Sequence, residues 1–323
     1  PHRSGFVGII GRPNVGKSTL LNAYLGEKVA IVSPHPQTTR HRILGVLTRS
    51  DAQVMFLDTP GLHKPQHALG RHMVEVAKAV LEEADVLVVV IDGQRGVTQD
   101  DERVFARVRE ARRHPRAGPA PQSALLAINK VDVVKKPRLL PMLDACAKQQ
   151  LFADCIPVSA LTGEQLDVLL ERIIAHLPEG PQWYEPKQHT DQTLMQRIGE
   201  LIREQALLAT RQEIPHAVAV LVDQIEPRER VTAVEATIFV ERPGQKAILI
   251  GRGGTMLKRI GQAARGEIER LLGKKVHLGL WVKVAEAWRK DDRLLHRLGY
   301  GSGGVPQSTV YPVGGTREER LRH

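Results

Sequence analysis

Up to about residue 177, short apolar β-rich runs alternate with amphipathic stretches. The runs fall at residues 6–11, 53–58, 86–92, 124–130 and 155–160. That alternation predicts an α/β domain with a mainly parallel sheet and helices on both faces. The run at 86–92 is apolar at every position but the last, as expected of a strand covered on both sides near the sheet centre. Pro178-Glu179-Gly180-Pro181 then stops any helix, because proline lacks an amide donor and biases its predecessor away from helical angles. The pattern changes beyond it. Leu194, Ile198, Leu201, Ile202 and Leu208 recur at helical spacing, with Gln205 the one polar member of the stripe. Val218, Val220 and Val222 alternate with their neighbours, as do Val234, Ala236, Ile238 and Val240. A last strand carries Val276, Leu278, Leu280, Val282 and Val284, with His277, Trp281 and Lys283 on its other face. The order helix, strand, strand, helical segment, helix, strand predicts an α+β unit, in which Trp281 is read as structural.

These patterns divide the chain into an α/β domain at 1–177, a linker at 178–189, an α+β domain at 190–300 and a tail at 301–323. The tail holds five Gly and two Pro in 23 residues with few large apolar groups, so it is expected to be disordered. The length, 323 residues, fits two domains, and 42% apolar with 25% charged residues is an ordinary globular composition. Apolar runs are too short to cross a bilayer and the N-terminus has no signal-peptide core, so a cytosolic monomer is expected. Cys146 and Cys155 have no partner at metal-ligand spacing, which predicts two buried thiols and neither a disulfide framework nor a zinc site. The net charge is +10 and becomes informative once located.

Gly11-Arg12-Pro13-Asn14-Val15-Gly16-Lys17-Ser18 fits G-x-x-x-x-G-K-S between an apolar strand and a helical stretch opening at Thr19. Such a loop turns backbone N–H groups toward an anion, and the following helix adds its positive end. Lys17 would reach the β and γ phosphates and Ser18 would ligate magnesium. Asp58-Thr59-Pro60-Gly61 closes another strand, where Asp58 would hold magnesium through a water and the Gly61 amide would meet the γ phosphate. Asn129-Lys130-Val131-Asp132 closes a third. The Asp132 carboxylate accepts from guanine N1–H and its 2-amino group, whereas adenine N1 carries no proton, so GTP is preferred over ATP. Asn129 would contact the base and brace the phosphate loop, with the Lys130 stem over the ring. Ser159-Ala160-Leu161 follows the last strand, with the Ala160 N–H aimed at guanine O6.

In order and type these motifs resemble those of the translation-factor-related GTPases. In that resemblance Pro36-Gln37-Thr38-Thr39-Arg40 is the first switch element, whose second threonine ligates magnesium only when the γ phosphate is present. The role falls to Thr39, with Thr38 as the alternative. Ras-like enzymes orient the hydrolytic water with a glutamine after the D-x-x-G glycine. Leu62 stands there and cannot hydrogen-bond a water, so slow intrinsic turnover is expected. Related GTPases with this replacement use a potassium ion held by a phosphate-loop asparagine, which implies that role for Asn14. The resemblance thus gives Lys17, Thr39, Gly61 and Asn14 as catalytic and Ser18, Thr39 and Asp58 as magnesium-binding.

In the second domain Gly251-Arg252-Gly253-Gly254 forms a G-x-x-G turn that leads into a helix carrying Lys258 and Arg259. It resembles a type II KH domain, whose loop clamps about four nucleotides of single-stranded RNA. Residues 242–275 hold nine Lys/Arg against two Asp/Glu, so the surplus charge is concentrated around this turn. Aromatic content of 4% argues that bases are held by apolar contacts and hydrogen bonds more than by stacking. A GTPase domain followed by such a KH domain resembles the Era family of bacterial GTPases over nearly all of residues 5–300. The resemblance implies binding near the 3′ end of 16S rRNA, a role in small ribosomal subunit assembly and, in some members, contact with the inner membrane. The Pro/Arg-rich loop at 112–122 and the tail depart from the family and inherit no role. Three readings remain: a GTP-driven switch, a constitutive RNA scaffold with structural nucleotide, and an ATP-dependent RNA enzyme, the last disfavoured by Asp132.

Overall fold

Six strands build the first sheet: β1 (Arg3–Ile10), β2 (Ile43–Thr48), β3 (Ala52–Asp58), β4 (Val86–Asp92), β5 (Ser123–Asn129) and β6 (Asp154–Pro157). Their order is β2-β3-β1-β4-β5-β6, parallel throughout except for β2 against β3. The computed structural model describes residues 2–36, 38–61, 68–113, 123–211, 214–298 and 300. Gln37, Leu62, most of the 112–122 loop and the 301–323 tail lie outside the described residues. β4 is buried along its whole length beside β1, as its unbroken apolar run requires. β2 is a strand the sequence reading did not assign, since Gly45 interrupts a short apolar run that neighbouring strands, not propensity, make extended.

Helices α1 (Lys17–Leu25) and α5 (Leu166–His176) cover one face through Leu20, Leu21, Leu169 and Ile173. α2 (Ala68–Glu83), α3 (Gln99–Arg113) and α4 (Leu139–Ala147) cover the other, with Val80, Phe105, Val108 and Cys146 turned inward. Cys146 is buried and its thiol is pushed up to about 11 by that burial, whereas Cys155, also expected to be buried, is half-exposed. Because β1, β3, β4, β5 and β6 run parallel, their C-terminal ends share one edge, and each motif that follows a strand is delivered there.

The stretch after α5 is sewn to this sheet. Ser4 N–H donates to the Pro178 carbonyl at 3.1 Å, Trp183 and Tyr184 N–H to Gln53 Oε1 at 2.7 and 2.9 Å, and Val46 N–H to the His189 carbonyl at 2.8 Å. It then enters α6 (Leu194–Ala209), which starts with a reciprocal cap between Thr193 and Gln196.

The second half continues through α7 (Ile214–Ala217), β7 (Ala219–Pro227), β8 (Val231–Val240), α8 (Pro243–Ile250), α9 (Thr255–Leu272), β9 (Lys275–Val284) and α10 (Asp292–Arg297). Its sheet is ordered β7-β8-β9, antiparallel then parallel. Ile198, Ile202, Val234, Ile238, Ile260 and Ile268 form its core between the sheet and α6, α8 and α9. α6 departs from the expected apolar stripe. α6 buries Glu200, Arg203 and Glu204 as well as its apolar stripe, while Leu194 and Leu208 are exposed, because one side of the helix faces the first half of the molecule. Trp281 is 50% exposed on the face of β9 opposite its apolar stripe, as the alternation of the strand places it.

Candidate functional site

The phosphate loop curls between β1 and α1 with Val15 and Lys17 buried. Gly16 has φ +101°, and a Cβ there would collide with Asn129 Nδ2, so backbone angle and neighbour both demand glycine. Lys17 Nζ donates to the carbonyls of Gly11 and Arg12, each at 3.1 Å. Burial lowers its ammonium from the ordinary 10.5 to about 8, partly opposed by Asp58. A buried cation at the N-terminus of a helix is stabilised by an anion placed there, which is the electrostatic demand of a phosphate chain.

Ser18, Thr39 and Asp58 converge in front of it. Ser18 Oγ donates to Asp58 Oδ2 at 2.6 Å and lies 3.1 Å from Thr39 Oγ1, which is 3.4 Å from the same Asp58 oxygen. Asp58 Oδ1 is buried with no hydrogen-bond partner among the described residues. Burial raises the Asp58 carboxyl's affinity for a proton, while Lys17 and the Ser18 hydroxyl oppose that. Two hydroxyls beside a buried carboxylate, one of whose oxygens has no hydrogen-bond partner among the described residues, fit a small divalent cation of the magnesium type. Thr38 turns away, its Oγ1 bonding the His35 carbonyl and Ser33 Oγ, both at 2.7 Å. Thr59 Oγ1 donates to the Ile9 carbonyl at 2.9 Å, and Thr59, Pro60 and Gly61 are buried, Gly61 lying against Pro13.

The remaining motifs close the site from the side. Asn129 Nδ2 donates to the Val15 carbonyl at 2.8 Å, which braces the phosphate loop. Its Oδ1 accepts from the Ala160 N–H at 2.9 Å, so the donor expected to point at guanine O6 is engaged within the protein. Lys130, at φ 67°, reaches across to the Asn14 carbonyl at 2.8 Å and to Asp92 Oδ2 at 2.7 Å. Asp132 is exposed at the rim, oriented by Ser159 Oγ at 2.6 Å, and Leu161 is 79% exposed beside it. Asn14, at φ 63°, donates from Nδ2 to the Pro34 carbonyl at 2.8 Å.

Two bracing residues escaped the sequence reading. Asp92 receives Lys130, and its only sequence signal is an acid ending an apolar strand. Asp101 receives Arg12 Nε at 3.2 Å in a buried pair, and Thr98 N–H and Oγ1 fix the same oxygen at 2.9 and 2.6 Å. That pair joins residues 89 apart in sequence.

The other glycine turn lies in the second half. Gly251, Gly253 and Gly254 all have positive φ, and Gly254 leads directly into α9. Arg252, Lys258 and Arg259 are exposed around it, and Thr255 Oγ1 closes the turn on the Arg252 carbonyl at 2.9 Å.

A phosphate loop with switch-type loops at the C-terminal edge of a parallel sheet, joined to a basic G-x-x-G turn on an α+β unit, defines a P-loop GTPase fused to a KH domain. Residues 6–130 match the family model described as 50S ribosome-binding GTPase, and residues 213–289 match the KH domain model. The chain is 44% identical over 301 residues to GTPase Era of Staphylococcus haemolyticus (strain JCSC1435), covering 93% of this chain and 97% of that protein. It is 46% identical to GTPase Era of Leuconostoc citreum (strain KM20), covering 92% and 96%. Among solved structures it superposes with a TM-score of 0.86 on a variant of Aquifex aeolicus Era bound to GDP·AlF4−, at 40% identity over 93% of this chain and 99% of that one. It gives the same score with Era in complex with MgGDPNP and nucleotides 1506–1542 of 16S ribosomal RNA, at 39% identity over 93% and 100%. The chain belongs to the Era family, and it is a GTPase.

Proposed function

We propose that the protein is a GTP-controlled binder of the 3′ region of 16S rRNA that assists small ribosomal subunit assembly. One observation carries the control: the loop holding Thr39 beside Ser18 and Asp58 also touches the KH half, where Arg203 Nη2 donates to the Thr38 carbonyl at 2.5 Å. A γ phosphate that recruits Thr39 therefore acts on a segment already in contact with the RNA-binding half. The RNA assignment is supported by the exposed basic turn at residues 251–259 and by the 16S fragment held by the relative described above.

In this reading residues 11–19, 58–61, 129, 130, 132 and 159–161 surround the nucleotide, with Asp132 selecting guanine. Ser18, Thr39 and Asp58 would hold magnesium, which supplies charge neutralisation on the β and γ phosphates. Lys17 and the Gly61 amide stabilise the γ phosphate, and Asn14 holds a potassium ion where an arginine finger acts in other GTPases. Gly251, Arg252, Gly253, Gly254, Lys258 and Arg259 grip the RNA backbone. The two working units are 1–177 and 190–300, acting as a monomer. Its proposed site of action is the cytoplasm, with inner-membrane contact carried over from the resemblance alone.

Titration of a 16S 3′-end fragment onto the protein loaded with GDPNP or with GDP tests the control. Affinity about tenfold tighter with GDPNP is expected, within the usual range of allosteric coupling. Equal affinities would leave a constitutive scaffold with structural nucleotide.

A further inference from the structure

The segment bearing Thr39 is pinned on both sides by the other half of the molecule. On the N-terminal side the Thr38 carbonyl accepts from Arg203, whose Nε and Nη2 are also bound to Glu200 at 2.8 and 2.6 Å, all in buried surroundings. On the C-terminal side Arg40, 2% exposed, sends its guanidinium into the KH half. Nη1 donates to the Val218 carbonyl at 2.6 Å, and Nη2 to those of Pro215 and His216 at 3.2 and 3.1 Å. The same guanidinium lies 5.5 Å from the Trp288 ring centre and 5.8 Å from that of Tyr300. No carboxylate is among the three acceptors. The site instead suits a planar, delocalised cation with several donors in a fixed fork that also stacks on aromatic faces, which lysine cannot reproduce.

The Thr38 carbonyl lies in the same peptide plane as the Thr39 N–H, and Arg40 follows directly, so anchors on both sides restrict the backbone that carries Thr39. We propose that Arg40 is a positioning residue for GTP hydrolysis. Anchored in the KH half, it holds the Thr39 hydroxyl against Ser18 and Asp58, so that the GTPase site is completed by the second domain. The inference rests on the Thr39 assignment proposed above. By linkage the contact works in both directions: whatever shifts the KH half alters affinity for GTP, and Thr39 recruitment alters the seating of the KH half. GDP, which has no γ phosphate to recruit Thr39, should bind without regard to Arg40.

The test uses the full chain with Thr39→Ala, Arg40→Ala and Arg40→Lys. GDP and GDPNP affinities are measured by equilibrium titration across magnesium concentrations, with kcat and KM for GTP alongside. Arg40→Ala is expected to weaken GDPNP binding about tenfold, the loss typical of charge-assisted hydrogen bonds that hold one loop conformation, while GDP affinity is kept. It should also raise the magnesium requirement, and Arg40→Lys should recover part of the loss. Wild-type GDPNP affinity and kcat in Arg40→Ala would overturn the proposal. Should that variant lose GDP as well, Arg40→Lys decides: a GDPNP-selective loss supports the proposal, and wild-type values for both nucleotides overturn it. If Thr39→Ala leaves GDPNP binding unchanged, the Thr39 assignment itself fails; if Thr39→Ala is defective and both Arg40 variants are not, only the positioning role falls.

Discussion

Both glycine-rich turns of the molecule lead into the N-terminus of a helix, and both are proposed to offer backbone to a phosphate, but they are built on different terms. In the phosphate loop the protein surrounds the glycine: Gly16 is fixed by its positive φ and by Asn129, and Asn129, Lys130 and Asp92 brace the loop from other strands. In the KH turn Gly253 and Gly254 also have positive φ, yet a Cβ at either would meet nothing within 4 Å. The first turn is preorganised by the rest of its domain around a small ligand of fixed shape. The second is packed at Gly251, against Met256, but keeps open space at Gly253 and Gly254, which suits the proposed approach of a sugar-phosphate chain from solvent. Side-chain charge follows the same division, with Arg12 and Lys17 buried in the first turn and Arg252, Lys258 and Arg259 exposed around the second.

The largest effect should come from Gly16→Ala. A left-handed angle combined with a collision at Asn129 is expected to cost nucleotide affinity about a hundredfold, read by fluorescent GDP titration. Retained affinity would mean that the loop is as permissive as the KH turn. Next comes Gly254→Asp, which places a carboxylate where RNA phosphate is proposed to lie. RNA affinity should fall about tenfold in a gel-shift assay with GDP affinity little changed; the left-handed angle at Gly254 should cost about 1 kcal/mol of stability, a modest fall in thermal midpoint, since a Cβ there meets nothing within 4 Å. A large fall in midpoint would show that this turn is braced as the first one is. The smallest effect is ionic. Replacing potassium by sodium at constant ionic strength should slow GTP hydrolysis several-fold, about the value of one weak electrostatic contact in the transition state, and Asn14→Ala should abolish the difference. RNA affinity should respond to total salt and not to which cation supplies it. Equal hydrolysis rates in the two salts would remove the role given to Asn14.

The two turns were also the most legible parts of the sequence, for the same reason. Each is a contiguous run whose residue types are dictated locally, by positive φ or by a phosphate-sized approach of backbone, and each sits between elements whose periodicity is itself local. Five strands of the first sheet and the strand order of the second half follow from such patterns. β2 did not, because its extended form depends on pairing with β3. The stripe on α6 reads as apolar but for Gln205, whereas Glu200, Arg203 and Glu204 are buried too; Lys28 and the Val32 N–H satisfy Glu204, the Thr38 carbonyl accepts from Arg203, and Glu200 pairs with Arg203 itself. Trp281 falls with His277 and Lys283 on the face opposite the apolar stripe of β9, and it is 50% exposed there.

Sequence by itself determined the chemistry available: a phosphate loop, an N-K-x-D carboxylate, a basic glycine turn, and the parallel sheet that delivers strand-end motifs to one edge. Tertiary structure alone decided that Asp92 and Asp101 brace the loop, that the chain between the domains is stitched to Gln53 and Val46, and that Arg40 leaves its own domain to bind carbonyls near residue 216. The reason is physical. Periodicity and turn chemistry depend on neighbours a few residues away, whereas a buried charge is defined by the partner that compensates it, and here that partner lies up to 178 positions distant.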